Sequence, residues 1–423
     1  MVYLAQPPLS QLNAPYPAIY YLRSFLEGKG RSVLCADHAI GLFERVFCRE
    51  GLERIFADAA ATAATGPLIR RFLSERDRWI NSIDRLTAFL RGRDREWGHF
   101  LALANGCLPG GPRFDARLAA LGGALDGSPD TAPLLATALL SDLADFISAA
   151  LDPSFTLISY RARPGGAYRD FSQVPEALNG YILQTFYRPY LETEWDRLEE
   201  ALAAGNTTGL QGGRAGPVLI GASIPFPGCL AGALVCAESA KRRFGDRAVT
   251  LAGGGYVNTE LRSLNDPAFF DYFDYLSFDS GYESLSAIID DIARKNTAAG
   301  SISGPLINAP VITGPVITGA LPKTMYRRAG SVISGLGAEG GAQGGAQGGA
   351  QGGHGPVPAT ATVFPDYTGL DFSRYIYPVD DANPMHRLWS DGHWLKAYLA
   401  YGCYWHACTF CDTSLDYIRN FEP

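Results

Sequence analysis

Apolar positions along this chain arrive in two rhythms. "VYLA", residues 2–5, is a short apolar run that ends at "QPPL" and reads as a buried strand feeding a loop. "AIYYLRSFLEGKG" follows, with Ile19, Leu22, Phe25 and Leu26 on one helical face and a stop at Gly28 and Gly30. "SVLCAD" is a second strand, so the first unit is a strand–helix–strand crossover with parallel pairing. From residue 40 to about 205 the period is mostly helical, as in "LIRRFLSERDRWINSIDRLTAFLRGRDREW" and "TAPLLATALLSDLADFISAAL". The strand rhythm then returns with "PVLIGASI", a helix "CLAGALVCAESAKRRFG" closed by Gly245, "AVTLAGGG", "YLSFDSG" and a helix "YESLSAIIDDIARK". Five strands with crossover helices predict an α/β fold: a doubly wound parallel sheet with a long helical insertion between strands two and three. Ligands of such sheets sit outside the carboxyl ends of the strands, which singles out the loops "QPPL", "SIPFPG", "GGGYVN" and "DSGYES".

After Lys295 the character changes. "APVITGPVITGALP" holds a tandem PVITG, and residues 337–355, "GAEGGAQGGAQGGAQGGHG", are a low-complexity run without core-forming side chains. Residues 296–362 therefore read as a flexible linker, and His354 as a linker residue. Aromatic and apolar residues return from "ATVFPDYTGL" onward, and Trp394 to Ala400 read as one strand leading into "GCYWHACTFCD". Three parts follow: an α/β domain over 1–295, the linker over 296–362, and the start of another domain over 363–423.

Composition narrows the picture. Hydrophobic residues make up 47% of the 423 and charged residues 19%, enough to bury a core. A net charge of −7 argues against general affinity for nucleic acid or an anionic membrane, and "RGRDRE" reads as a solvated helix face. The N-terminus lacks the basic and apolar regions of a signal peptide, and no stretch approaches roughly 20 uninterrupted apolar residues, so a cytoplasmic location is expected. Of eight cysteines, Cys35, Cys48, Cys107, Cys229 and Cys236 stand singly in apolar surroundings and read as small core residues of a reducing compartment.

Cys403, Cys408 and Cys411 differ in kind, falling within nine residues. A 4Fe–4S cluster held by only three thiolates leaves one iron open to a small chelating molecule, and three thiols in one loop after a strand suit that need. Zinc bound by Cys403, His406, Cys408 and Cys411, or a set of free thiols, are the alternatives. "GGGYVN" is not GxGxxG and no GxxxxGKS/T occurs, so neither a nicotinamide site nor a P-loop is indicated.

"GCYWHACTFCD" resembles the cluster loop of radical S-adenosylmethionine (radical SAM) enzymes, with four residues between Cys403 and Cys408 where the family has three. The longer "CYWxxCTFCD" form resembles a branch with an N-terminal cobalamin-binding-type, flavodoxin-like domain, and the upstream α/β pattern agrees. The resemblance implies that Cys403, Cys408 and Cys411 ligate the cluster and that SAM binds the open iron with Phe410 near its adenine. Carbon–sulfur cleavage would then give a 5′-deoxyadenosyl radical. It implies a peptide or natural-product precursor as substrate, methylation as one outcome, and an electron-donor protein as partner. For cobalamin, Gly253, Gly254 and Gly255 end a strand where side chains would block a ligand, and Ser223 can donate a hydrogen bond to the nucleotide tail; a tight strand-to-loop turn is the other reading of the glycines. "ADHAIG" keeps only part of the DxHxxG axial-ligand pattern, so His38 is expected to be a surface or capping residue. A radical SAM barrel needs roughly 200 residues after its cluster loop. Only twelve follow Cys411, so a truncated chain with little or no turnover is expected. A non-catalytic corrinoid-binding module and a zinc-stabilised interaction protein are the competing functions.

Overall fold

The computed structural model describes residues 1–103, 109–122, 131–158, 177–205, 216–298, 320–336, 363–377, 394–400, 402–405, 415–419 and 421. Its strands are β1 (Val2–Gln6), β2 (Val33–Asp37), β3 (Val218–Ser223), β4 (Ala248–Gly253), β5 (Tyr275–Ser277), β6 (Thr324–Arg328) and β7 (Ser331–Ser334). They form one mixed seven-stranded sheet in the order β2-β1-β3-β4-β5-β6-β7, so the fold is α/β. β1 to β5 run parallel; β6 and β7 are antiparallel. All residues of β1 and β3 are buried, as expected for parallel strands covered on both faces.

Strand alternation divides the core. Val2, Leu4, Leu219 and Leu251 face α1 (Ala18–Glu27) together with Leu285 and Ile288 of the last long helix, Tyr282–Ala298. Tyr3, Ala5, Ile220, Ala222 and Ala252 share the larger core of the other face. That core is built from the insertion predicted by sequence: α2 (His38–Val46), α3 (Arg49–Ala61), α4 (Pro67–Ser74), α5 (Arg76–Leu90), α6 (Arg95–Leu103), α7 (Pro112–Ala120), α8 (Thr131–Ala150) and α9 (Arg188–Gly205). It is completed by α10 (Leu230–Phe244), which ends at Gly245 with φ 55, the left-handed turn glycine adopts readily. Basic residues in its last turn suit the helix dipole, and Arg243 is held by Asp196 and Glu199 of α9. Two more helices, α11 (Gly255–Glu260) and α12 (Tyr282–Ala298), follow β4 and β5.

By length and composition, α8 is the one described helix apolar enough to cross a membrane, and 67% of that stretch is buried inside the structure. Its buried Asp142 accepts hydrogen bonds from the backbone N–H groups of Gly111, Arg113 and Phe114, capping the start of α7.

Three segments depart from expectation. Residues 320–336, inside the stretch predicted as linker, add the β6–β7 hairpin to the sheet through β5. Its turn uses Ala329 (φ 51) and Gly330 (φ 80), a primed turn made without the usual Asn-Gly signal. Trp394–Ala400 is not a strand: its groups bond to side chains of other elements instead of a neighbouring strand. Residues 363–377, expected to open a second domain, pack into the α/β core. Tyr375 and Ile376 are buried, the Ile376 N–H donates to the Leu12 carbonyl (3.0 Å), and Arg374 pairs with Glu44 of α2 (2.6 Å). The low-complexity run 337–355, with His354, lies outside the described residues.

Candidate functional site at the carboxyl edge of the sheet

The loops after β1, β3, β4 and β5 meet at the edge where an α/β sheet binds its ligands. Between β3 and β4 the glycines receive the protein's own backbone. The Ile224 N–H donates to the Gly253 carbonyl (2.7 Å), and the Tyr256 N–H donates to the Ile224 carbonyl (3.1 Å). Gly254 has φ 100, and a Cβ there would stand 2.6 Å from the Ile224 carbonyl oxygen; one at Gly255 would stand 3.0 Å from that of Pro225. These two glycines therefore serve a close loop crossing, and the cradle expected for a corrin at Gly254 and Gly255 is filled by Ile224 and Pro225. Ser223 is buried beside Gly253 in the β3–β4 register. A Gly254→Ala variant should lose about 3 kcal/mol of stability through the strained φ and the clash, read as a lower denaturant midpoint. An unchanged midpoint would show that the crossing can open.

The β4 and β5 loops are likewise joined. Asn258 accepts from the Asp279 N–H (2.7 Å) and donates to the Asp279 carbonyl (3.2 Å), while Arg262 and Lys323 pair with the Asp279 carboxylate.

The loop after β1 is different. Connecting segments normally run over the surface, yet Gln6, Ser10, Gln11 and Asn13 are all at most 2% exposed. Gln11 is satisfied: its Nε2 donates to the Ala14 carbonyl (2.6 Å), and its Oε1 accepts from Lys396 Nζ (2.6 Å). Gln6 Oε1 and Nε2, Ser10 Oγ, and Asn13 Oδ1 and Nδ2 are buried with no protein partner. Leu9, between them, holds φ 65, an uncommon conformation for a residue with a side chain.

Over this loop lies the segment that leads to the cysteines. Tyr367 Oη donates to the Lys396 carbonyl (2.8 Å), and the Tyr398 N–H donates to Tyr21 Oη (2.7 Å). Lys396 stacks over the rings of Tyr16 and Trp394, and burial pulls its ammonium down to about 8. Gly402 takes φ 76, and the Cys403 N–H donates to the Ile418 carbonyl (2.8 Å). The Cys403 thiol is free and half-buried. Cys408, Phe410 and Cys411, with His406, lie outside the described residues. Among the described residues no group of three His, Cys, Asp or Glu is arranged to hold a metal ion.

Of the single cysteines expected in the core, Cys229 and Cys236 are buried there, while Cys35 and Cys48 are half-buried. Burial pushes the thiols of Cys35, Cys229 and Cys236 up to about 12, which keeps them protonated and inert; Cys48 accepts from the Gly51 N–H at the start of α3. Cys107 lies outside the described residues.

His38 is neither the surface residue nor the capping residue expected. Asp37 caps α2 by accepting from the N–H groups of Ala39 (3.0 Å) and Ile40 (3.3 Å), and His38 points into the core with no exposed surface. Tyr3 Oη donates to Glu194 Oε2 (2.9 Å), so the His38 Nε2–H donates to Tyr3 Oη (2.7 Å) and Tyr187 Oη donates to His38 Nδ1 (2.7 Å). A π-helical turn, Leu183–Tyr187, leads into α9 and carries Tyr187 to the ring. Both ring nitrogens are occupied, so His38 has none free for a cobalt ion. Tyr3 comes from β1, Tyr187 from 149 positions downstream, and Glu194, which fixes the Tyr3 hydroxyl, from 191 positions beyond Tyr3, which is why local sequence did not reveal the burial.

Sequence reasoning marked "QPPL" as a loop to watch and passed over its polar residues. The available signal was the set of amide and hydroxyl side chains in "QPPLSQLN" directly after an apolar strand. Comparison of the chain with family models, curated proteins and solved structures finds no match.

Proposed function

We propose that this chain is a radical SAM protein of the cobalamin-domain type, in which Cys403, Cys408 and Cys411 hold a 4Fe–4S cluster. The observation that carries the reading is the "CYWHACTFC" thiol trio, whose first member is free, half-buried and outside the packed core. The buried, protonated thiols of Cys229 and Cys236 are unsuited to this role. A cluster bound there would supply the electron for carbon–sulfur cleavage of SAM.

The chain's own residues orient that loop. Gly402 reverses the backbone just before Cys403, and the bonds of Lys396 to Gln11 and of Tyr398 to Tyr21 tie the approach segment to the sheet edge. On this reading Phe410 packs against the adenine, and the substrate is a peptide or other natural-product precursor. An electron-donor protein is the partner. The order β2-β1-β3-β4-β5 of the parallel strands is that of flavodoxin-like sheets and supports a corrinoid-type domain. Ser223 lies at the correct edge; Gly254 and Gly255 do not fit the part expected of them.

The test is anaerobic purification with iron and sulfide. Broad visible absorption that bleaches with dithionite, at about four irons per chain, is expected. Stoichiometric zinc in place of iron would overturn the reading in favour of a zinc-stabilised interaction protein.

A further inference from the structure

We infer that Tyr187 is a one-electron oxidation site, a sheltered tyrosyl radical whose proton leaves through His38 and Tyr3 to Glu194; the inference is independent of the cluster and of any corrinoid. Three hydrogen bonds form one line. Tyr187 Oη donates to His38 Nδ1 (2.7 Å), His38 Nε2–H to Tyr3 Oη (2.7 Å), and Tyr3 Oη–H to Glu194 Oε2 (2.9 Å). Every donor points the same way, towards the carboxylate. Tyr3, His38 and Tyr187 have no exposed surface, while Glu194 lies at the rim, 3.5 Å from the exposed Arg197. Tyr187 also stands on the π-helical turn Leu183–Tyr187, a rare geometry that recurs at functional sites.

A buried phenol gives up an electron readily only if its proton has somewhere to go, and a neutral imidazole is the usual shuttle. The oxidant is an oxygen- or carbon-centred radical, which takes one electron from the Tyr187 ring and then a proton from water. The phenolic proton passes to His38 Nδ1, the Nε2 proton to Tyr3 Oη, and the Tyr3 proton to Glu194 Oε2. Each hydrogen bond survives with its direction reversed, and the carboxylate becomes a carboxylic acid. His38 is a relay and not the resting place of the proton, because burial disfavours its imidazolium. The Cys236 thiol, held protonated by burial, bonds to the same phenol oxygen. Tyr190 stacks on Tyr187 with ring centroids 6.0 Å apart and lies under the Arg45 guanidinium, which gives the electron a path outward. Tyr275 is the contrast: it donates to Asp291 but accepts from the Lys295 ammonium, whose charge opposes loss of an electron.

The experiment oxidises the full chain, purified without added iron, with photogenerated tris(bipyridine)ruthenium(III). Tyrosyl radical is then counted by electron paramagnetic resonance in frozen samples, alongside the denaturant midpoint. The wild-type chain should form a long-lived radical. Tyr187→Phe keeps the ring and its packing and should cut the signal about 10-fold. Glu194→Gln keeps an acceptor for Tyr3 but takes up no proton, and should cut it by about as much. Tyr275→Phe should leave it unchanged. If Tyr187→Phe loses its fold, as its midpoint would show, Glu194→Gln carries the comparison alone. An unchanged signal in folded Tyr187→Phe places the radical on another tyrosine and overturns the inference. An unchanged signal in Glu194→Gln shows that the proton does not travel this line and overturns it too, as does a wild-type chain that forms no long-lived radical.

Discussion

A His38→Ala variant will be less stable than the wild-type chain by about 4 kcal/mol at pH 7.5, measured by denaturant unfolding. The change removes the ring and two 2.7 Å hydrogen bonds, empties a site with no solvent access, and strips Tyr3 and Tyr187 of a partner. It also loosens the joint between sheet and insertion, since the network ties β1 to α2, the π-helical turn and α9.

The same variant carries a pH signature. Burial lowers the His38 imidazolium to about 4, the nearby Glu194 carboxylate opposing in part. Unfolded histidine titrates near 6.5. Between those values the unfolded chain binds the proton and the folded chain does not, so wild-type stability falls as pH drops from about 6.5 to about 4. The full span is about 3 kcal/mol. The alanine variant lacks this penalty, so its deficit against wild type should shrink towards about 1 kcal/mol at pH 4. Asp37 runs the other way: burial raises its carboxyl to about 6, so its contribution falls as pH rises between the ordinary carboxylate value and about 6. That term is common to both proteins and cancels in the difference. A deficit independent of pH would mean that His38 takes up its proton in the folded core as readily as in the unfolded chain.

Replacing Cys403, Cys408 or Cys411 singly by alanine should remove essentially all iron from anaerobically reconstituted protein. A cluster with three thiolate ligands has none in reserve, and losing one leaves two irons open to solvent. Cys236→Ala is the control. Its thiol is buried in the core of α10 and held protonated, so the change should lower the unfolding midpoint and leave iron content intact. Iron analysis and visible absorption read both outcomes. Equal iron loss in all four variants would remove the ligand assignment, because it would tie iron loading to folding instead of to the loop.

Much of the sheet was legible locally. Runs such as "VYLA" and "PVLIGASI" are apolar at every position because both faces are covered, and the crossover lengths between them leave only parallel pairing. The helical insertion followed from its period, and the thiol trio from its spacing. The sequence by itself thus determined the elements, the edge where their loops gather, and the chemistry available in the cysteine loop. Tertiary structure decided what fills each space. It buried His38 under Tyr187 and Glu194, which are distant in sequence, and brought Ile224 against Gly254. It added β6–β7 through a turn without a strong local signal, and held Trp394–Ala400 by side chains instead of in a sheet. Period and propensity act over a few residues, whereas burial and hydrogen-bond satisfaction depend on which distant segments meet. That is why the unpartnered amides after β1 emerged only once the chain was folded.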